Sequence, residues 1–164
     1  MTGTGVTPPE QTDWPLTVVI RRTMRESKGW RVPAWSLAAI EPAQGRSGME
    51  ALRHDDGARD FAWHGLTLRL RRSDAETYWF NLTSQQPSLF VICREDPQYG
   101  LMPAMVTLDQ DETARQQESE AEIFSTSLPE WLAVEVERFV LAHYRPSPRK
   151  GKRRRKPQEQ SHDQ

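Results

Sequence analysis

The chain has 164 residues, 36% of them apolar, a formal charge of -1 and a mean hydropathy of -0.77, which fits one domain of the usual roughly 100–200 residues with a modest core. No run of about 18 apolar residues exists, so a membrane-spanning helix is excluded; the start MTGTGVTPPEQTD lacks the basic and apolar regions of a secretory signal, and a cytoplasmic location is expected. The small total charge hides a polarity that points to partners: residues 1–144 hold 14 Lys and Arg against 21 Asp and Glu (-7), residues 145–164 hold 8 against 2 (+6), and 109–138 alone hold 9 acidic against 2 basic residues.

Residues 1–13 are rich in Thr, Gly and Pro and read as a disordered N-terminal segment, followed by a single β-rich domain over 14–144 and a disordered basic tail over 145–164. Leu16 to Arg22, dense in β-branched residues, predicts the first strand. Ser27-Lys28-Gly29 marks a loop, and Trp30 to Ile40 a second extended run that Pro33 confines to an edge or a bend. Residues 41–60, rich in Gly and Asp, read as loop. Phe61-Ala62-Trp63 can open the next strand, and Leu66, Leu68 and Leu70 alternating with Thr67, Arg69 and Arg71 give the cleanest half-buried strand in the chain.

The most apolar stretch is Glu76 to Glu95. Tyr78, Phe80 and Leu82 fall on one face of an extended run, with Thr77, Trp79, Asn81 and Thr83 on the other. SLFVIC is apolar on both faces and reads as an interior strand. Ser84 to Pro87 supplies a break. These features predict a hairpin, and with Leu66–Arg71 a consecutive antiparallel meander over Leu66–Arg71, Thr77–Thr83 and Leu89–Arg94. Met102 to Leu108 is a further strand. Asp109 with Glu112 has the form of a capping box and starts a short helix to about Glu118; Glu122 to Thr126 returns as a last strand. Ser127-Leu128-Pro129-Glu130 is a stronger helix start with Ser127 as N-cap. The stripe Leu128, Leu132, Val136, Phe139, Val140 and His143 should lie on the sheet, and the helix should end near Tyr144, ahead of Pro146 and Pro148.

The fold class is therefore α+β and mostly antiparallel: about seven short strands in a small barrel or strongly bent sheet, sealed by a C-terminal amphipathic helix, an element order shared with pleckstrin-homology-like barrels.

No catalytic constellation emerges. The histidines His54, His64, His143 and His162 show no HxH, HxxxH or CxxC spacing, so no metal is expected. GxGxxG, GxxxxGK[ST] and GxSxG are all missing, so nucleotide-binding and hydrolase classes lose their usual support, and no resident cofactor is expected. Paired carboxylates occur only in the acidic helical segment and read as a solvated face. Cys93, the single cysteine, lies in an apolar strand and reads as a packed thiol; the sequon Asn81-Leu82-Thr83 is idle in a cytoplasmic protein.

Two features can recognise something. Trp30 and Trp35, with Trp79 extending them, either form an aromatic surface or fill the core, the second being the commoner use of Trp in a small domain. The tail residues Arg149, Lys150, Lys152, Arg153, Arg154, Arg155 and Lys156 can attract nucleic acid, anionic lipid or an acidic protein surface. Because stacking aromatics are missing from the tail and the body is acidic, a protein partner is favoured over nucleic acid.

The strand VVIRR, the tryptophan pair in GWRVPAW, the central YWFNLTSQQPSLFVICR, the segment VTLDQDE, the helix start SLPEWL and the basic KRRRK carry a resemblance, spanning about Leu16 to Lys156, to a family of uncharacterised bacterial proteins. The central segment, with Asn81, Leu82, Pro87, Ser88 and Arg94 matching, is the most specific part. The chain departs from the family's pattern at Asp109, where Ser is usual, and at Thr113, where Ala is usual; both suit a capped helix. Genes of the family tend to neighbour those of molybdenum-dependent formate dehydrogenases, and some members have carried a molybdopterin-guanine-dinucleotide biosynthesis label that the missing phosphate-binding loop matches poorly. The resemblance implies a non-catalytic accessory protein that binds another protein, with a formate dehydrogenase subunit as the expected partner during assembly or maturation.

The expected partner surface comprises Trp30, Trp35, Trp79, Asn81 and Arg94, with the tail adding electrostatic attraction. A second reading is a binder of a small molecule or molybdopterin-type cofactor, held near Trp30, Trp35 and Trp79. A third is a nucleic-acid binder acting through the tail. For Asn81 and Arg94, hydrogen bonds that set the structure are preferred to ligand contact, since an unpaired polar group beside a buried sheet costs about 1–3 kcal/mol.

Overall fold

The computed structural model describes residues 8–53 and 57–144. The basic tail lies outside the described residues. Within them the order is β1 (Gln11–Ser27), β2 (Trp30–Pro42), β3 (Gly48–Arg53), β4 (Arg59–Arg71), a 3-10 turn, α1 (Ala75–Leu82), β5 (Ser88–Asp96), β6 (Gly100–Thr107), α2 (Gln110–Gln117), β7 (Glu122–Ser127) and α3 (Glu130–His143). The strands form one sheet in the order β2-β1-β4-β6-β5-β7, with β3 added beside β4. β2 also touches β7, so the sheet curls nearly into a barrel, as expected for the α+β class.

Bulges hold the apolar pattern to one face. In β4, Phe61 and Trp63 are odd-numbered and Leu66, Leu68 and Leu70 even-numbered, which an unbroken strand would send to opposite sides. Gly65 resolves this. It is the extra residue between Leu16↔Leu66 and Thr17↔His64, and its φ of +90° suits glycine at such a bulge. Leu16, Val18 and Ile20 of β1 then face the core together with Leu68 and Leu70. The α3 residues Leu132, Val136, Phe139 and Val140 close the core from the open side, so the helix packs as its stripe predicts. Its start differs: Ser127 ends β7, and Pro129 is the N-cap, its carbonyl accepting from Leu132 and Ala133.

The largest departure is at the centre. Thr77 to Thr83 is not a strand, and no hairpin joins it to Leu89–Arg94. Ala75, Tyr78, Trp79 and Leu82, at spacing i, i+3, i+4, i+7, are the apolar positions of α1. The period-two reading placed Phe80 with Tyr78, whereas Phe80 is 59% exposed on the far side of the helix. Tertiary packing overrides the β propensity of Thr, Tyr, Trp and Phe: Tyr78 meets Phe139 edge-on and Trp79 packs on Tyr144. The Tyr78 hydroxyl also accepts from the Arg71 backbone N–H at 2.9 Å, pinning α1 to the end of β4.

The meander fails with it. β4 and β5 are separated by β6, which pairs antiparallel with β5 and meets β4 in parallel at Leu68↔Val106. β5 is interior, between β6 and β7, as its two apolar faces predict. Two smaller differences follow from pairing. Gly48–Arg53, read as loop, becomes β3 by pairing with Arg59–His64, and β1 starts at Gln11, inside the segment read as disordered, because Gln11–Asp13 pairs with Arg69–Arg71.

Candidate protein-binding surface

β1 and β2 continue past the sheet. β1 pairs with β4 as far as Arg22↔Arg59; beyond that point residues 23–27 pair only with β2, from Thr23↔Ala34 to Ser27↔Trp30. Residues 23–34 thus form a two-stranded arm. Its turn is Lys28-Gly29, with φ of +52° and +82°, the two positive values of a type I′ turn whose twist matches the flanking strands. Trp30 follows the turn directly and is 74% exposed. Directly opposed residues share a face, so Trp30 and Ser27 lie beside Arg25 and Val32. The other face carries Met24, which is exposed, with Pro33, Glu26 and Arg31. Among the described residues Arg25, Lys28 and Arg31 have no ion-pair partner, and Glu26 is the arm's one carboxylate, giving +2.

The arm is anchored by an aromatic cluster. Trp35 is half-buried, its ring centroid 6.3 Å from Phe61, and it lies so close over Gly100 that a Cβ there would come within 2.7 Å of the indole. Tyr99 packs on Phe61 and edge-on against Trp63, and the Arg22 guanidinium stands 5.6 Å from the Phe61 ring centre. Trp35 therefore acts as footing, not as open surface.

The remaining expected site residues go elsewhere. Trp79 is half-buried against Tyr144 and Trp35 packs on Phe61, whereas Trp30 stands exposed at the end of the arm. Asn81 ties three elements: its Nδ2 donates to Ser88 O and Leu108 O, and its Oδ1 accepts from Ser88 N, each at 2.9 Å. Arg94 donates to Ser119 O at 3.1 Å and to Gln116 Oε1, holding the C-terminal end of α2 onto β5. Both residues therefore join separate elements through hydrogen bonds. The tail residues Arg149 to Lys156 lie outside the described residues.

A groove of about 310 Å³ lies between α1 and the start of α2. Phe80, Phe90 and Leu108 give the apolar part of its lining, and Asp109 and Asp111 stand among the polar residues that complete it. Asp109 is the N-cap of α2 as predicted, its Oδ1 accepting from Asp111 N at 2.9 Å. Glu112 is held below the usual carboxylate range by hydrogen bonds from Gln116 and Arg115. No part of the sequence reading singled out this groove, because Phe80 was placed on a strand face with Tyr78 and Leu82.

Other reactive groups are engaged in packing. Burial, reinforced by Glu122, pushes the Cys93 thiol up to about 12, which suits a core thiol and not a nucleophile. Thr17 Oγ1 lies 2.9 Å from His64 Nδ1, and His64 Nε2 lies 3.4 Å from Glu50, a hydroxyl-imidazole-carboxylate order. Thr17 is only 1% exposed, so its hydroxyl cannot meet a substrate. Among the described residues no group of three or more His, Cys, Asp or Glu could hold a metal ion, and no helix is long and apolar enough to cross a membrane.

The fold and surface define an α+β domain with a nearly closed mixed sheet and a projecting, basic, tryptophan-tipped arm. The chain belongs to the family described as protein of unknown function, DUF3305, whose model matches residues 15–155. No curated protein and no solved structure matches it.

Proposed function

We propose that this protein is a non-catalytic accessory module that binds another protein, with the β1–β2 arm as its docking element. The observation that carries this reading is Trp30, 74% exposed at the end of a ribbon that pairs with nothing else in the sheet. A large aromatic ring costs hydration when left in water, and tryptophan and arginine are the side chains most enriched where binding energy concentrates. The type I′ turn and the Trp35 footing fix the ribbon that carries the ring before binding, which lowers the ordering cost of association. The fitting surface on a partner is an apolar pocket with an acidic rim. The resemblance to proteins whose genes neighbour formate dehydrogenase genes suggests a subunit of that enzyme, bound during assembly.

The test is affinity purification of the tagged full chain and of Trp30→Ala side by side from native cells, with mass-spectrometric identification. The expected result is a formate dehydrogenase subunit recovered with the wild type and depleted with the variant. Equal recovery with both would remove the arm's role, and recovery of other proteins alone would remove the dehydrogenase assignment.

A further inference from the structure

The arm has a complementary receptor on its own chain. Around the groove between α1 and α2, Phe80 is a large apolar side chain, 59% exposed among the described residues, and Phe90 and Leu108 share the lining. The volume of about 310 Å³ is at the lower end for a cavity that takes a small molecule, and admits one indole ring. At its rim, Asp111 is exposed and in no ion pair among the described residues. Asp109 has one oxygen on the Asp111 N–H and the other 3.9 Å from Arg115. The arm offers the converse: an exposed indole with Arg25 on the same face and Lys28 in the adjoining turn, neither in an ion pair among the described residues. The two surfaces suit one another in size, each carries an apolar group, and they are opposite in sign of charge.

We infer that the arm of one copy docks in the α1–α2 groove of a second copy, Trp30 on Phe80 and Phe90, and the arm's cations facing Asp109 and Asp111. This rests on the arm being a docking element and specifies its resting partner. The contact is heterologous, since arm and groove are different surfaces of the same chain, so each copy can both give an arm and receive one. Open chains or a closed ring result. A client with its own acidic-rimmed pocket would compete for the same arm, so self-association would regulate how much free arm is available.

The test uses sedimentation velocity on the full chain and two variants, Trp30→Ala, which keeps the groove, and Phe80→Lys, which keeps the arm while removing the apolar contact and opposing the arm's cations; both positions are exposed, and circular dichroism checks the fold. The wild type should sediment as dimers and larger species, with association weakened by added salt. Each variant alone should associate at least about 30-fold more weakly, the loss expected of a hot-spot residue. Mixed, the two should form a one-to-one dimer and nothing larger, because one intact arm meets one intact groove. A wild type that stays monomeric at every soluble concentration would overturn the inference, as would an oligomer that survives both substitutions or folded variants that fail to complement. Client capture lost in Trp30→Ala alongside a monomeric wild type would leave the docking reading standing and remove this one.

Discussion

Replacing Asn81 by Ala removes three hydrogen bonds of 2.9 Å at once. The side chain is half-buried at the end of α1 and joins the first residue of β5 to the residue that follows β6. Each bond contributes about 0.5–1.5 kcal/mol net, and a buried group left without a partner costs about 1–3 kcal/mol. Water can reach part of this site, so the expected loss is about 2–4 kcal/mol, not the sum of the upper limits. At about 2–4 °C per kcal/mol for a chain of this size, melting should fall by roughly 5–15 °C. Asn81→Asp is the informative companion, since it keeps the acceptor for Ser88 N but sets a carboxylate against two carbonyls, and it should be at least as damaging. Urea and thermal unfolding of the three proteins provide the assay. If Asn81→Ala melts within about 1 °C of the wild type and loses only partner capture, the residue belongs to a binding surface and the structural assignment is wrong.

Further outcomes follow from the same contacts. At concentrations low enough for the chain to be monomeric, Trp30→Ala should leave unfolding within about 0.5 kcal/mol of the wild type, as for an exposed side chain, while removing a component of fluorescence quenched by iodide; full shielding of the wild-type tryptophans in the monomer would contradict the exposed arm. Gly100→Ala should destabilise by about 1–3 kcal/mol and change the near-ultraviolet dichroism, because φ is +92° and the new methyl would lie 2.7 Å from the Trp35 ring. Arg94→Leu should speed amide exchange in α2 while leaving β5 and β6 protected, and uniform loss of protection would place Arg94 in the global core. The folded Cys93 thiol holds its proton to about 12 against an ordinary 9.0, so native protein should resist alkylation at pH 8 and react once unfolded. The sign for stability follows: the proton is kept longer in the fold, so stability is full below about 9 and declines as pH rises from there through about 12.

What the sequence revealed depended on whether the pattern was local. Strands β1, β5, β6 and β7 and helix α2 were legible because β-branched density, apolar runs and the Asp109 cap act over a few residues. α1 was misread because alternation and helical spacing coincide over eight residues rich in aromatics; the available signal was Ala75, Tyr78, Trp79 and Leu82, with Arg72–Asp74 already turning the chain. β3 was invisible, since its strand character comes from pairing with β4. Asn81 and Arg94, for which structural hydrogen bonds were preferred, each join separate elements by hydrogen bonds. The reading of the tryptophans as buried fits Trp35 and Trp79, which pack on Gly100 and Tyr144, and fails at Trp30. A tryptophan directly after a Lys-Gly turn was the one clue that this ring stands at a ribbon's end. Pairings between distant segments, such as β4 with β6, and therefore the groove under Phe80, leave no trace in local spacing.

The most direct test of the docking claim is a photoreactive phenylalanine analogue placed at position 30 of the full chain, irradiated in native cells, with the crosslinked peptides sequenced. Adducts to protein peptides that line an acidic-rimmed apolar site are predicted, with a matched probe at position 79 giving none because that ring packs on Tyr144. Adducts to nucleic acid alone, or equal yields from positions 30 and 79, would contradict the account.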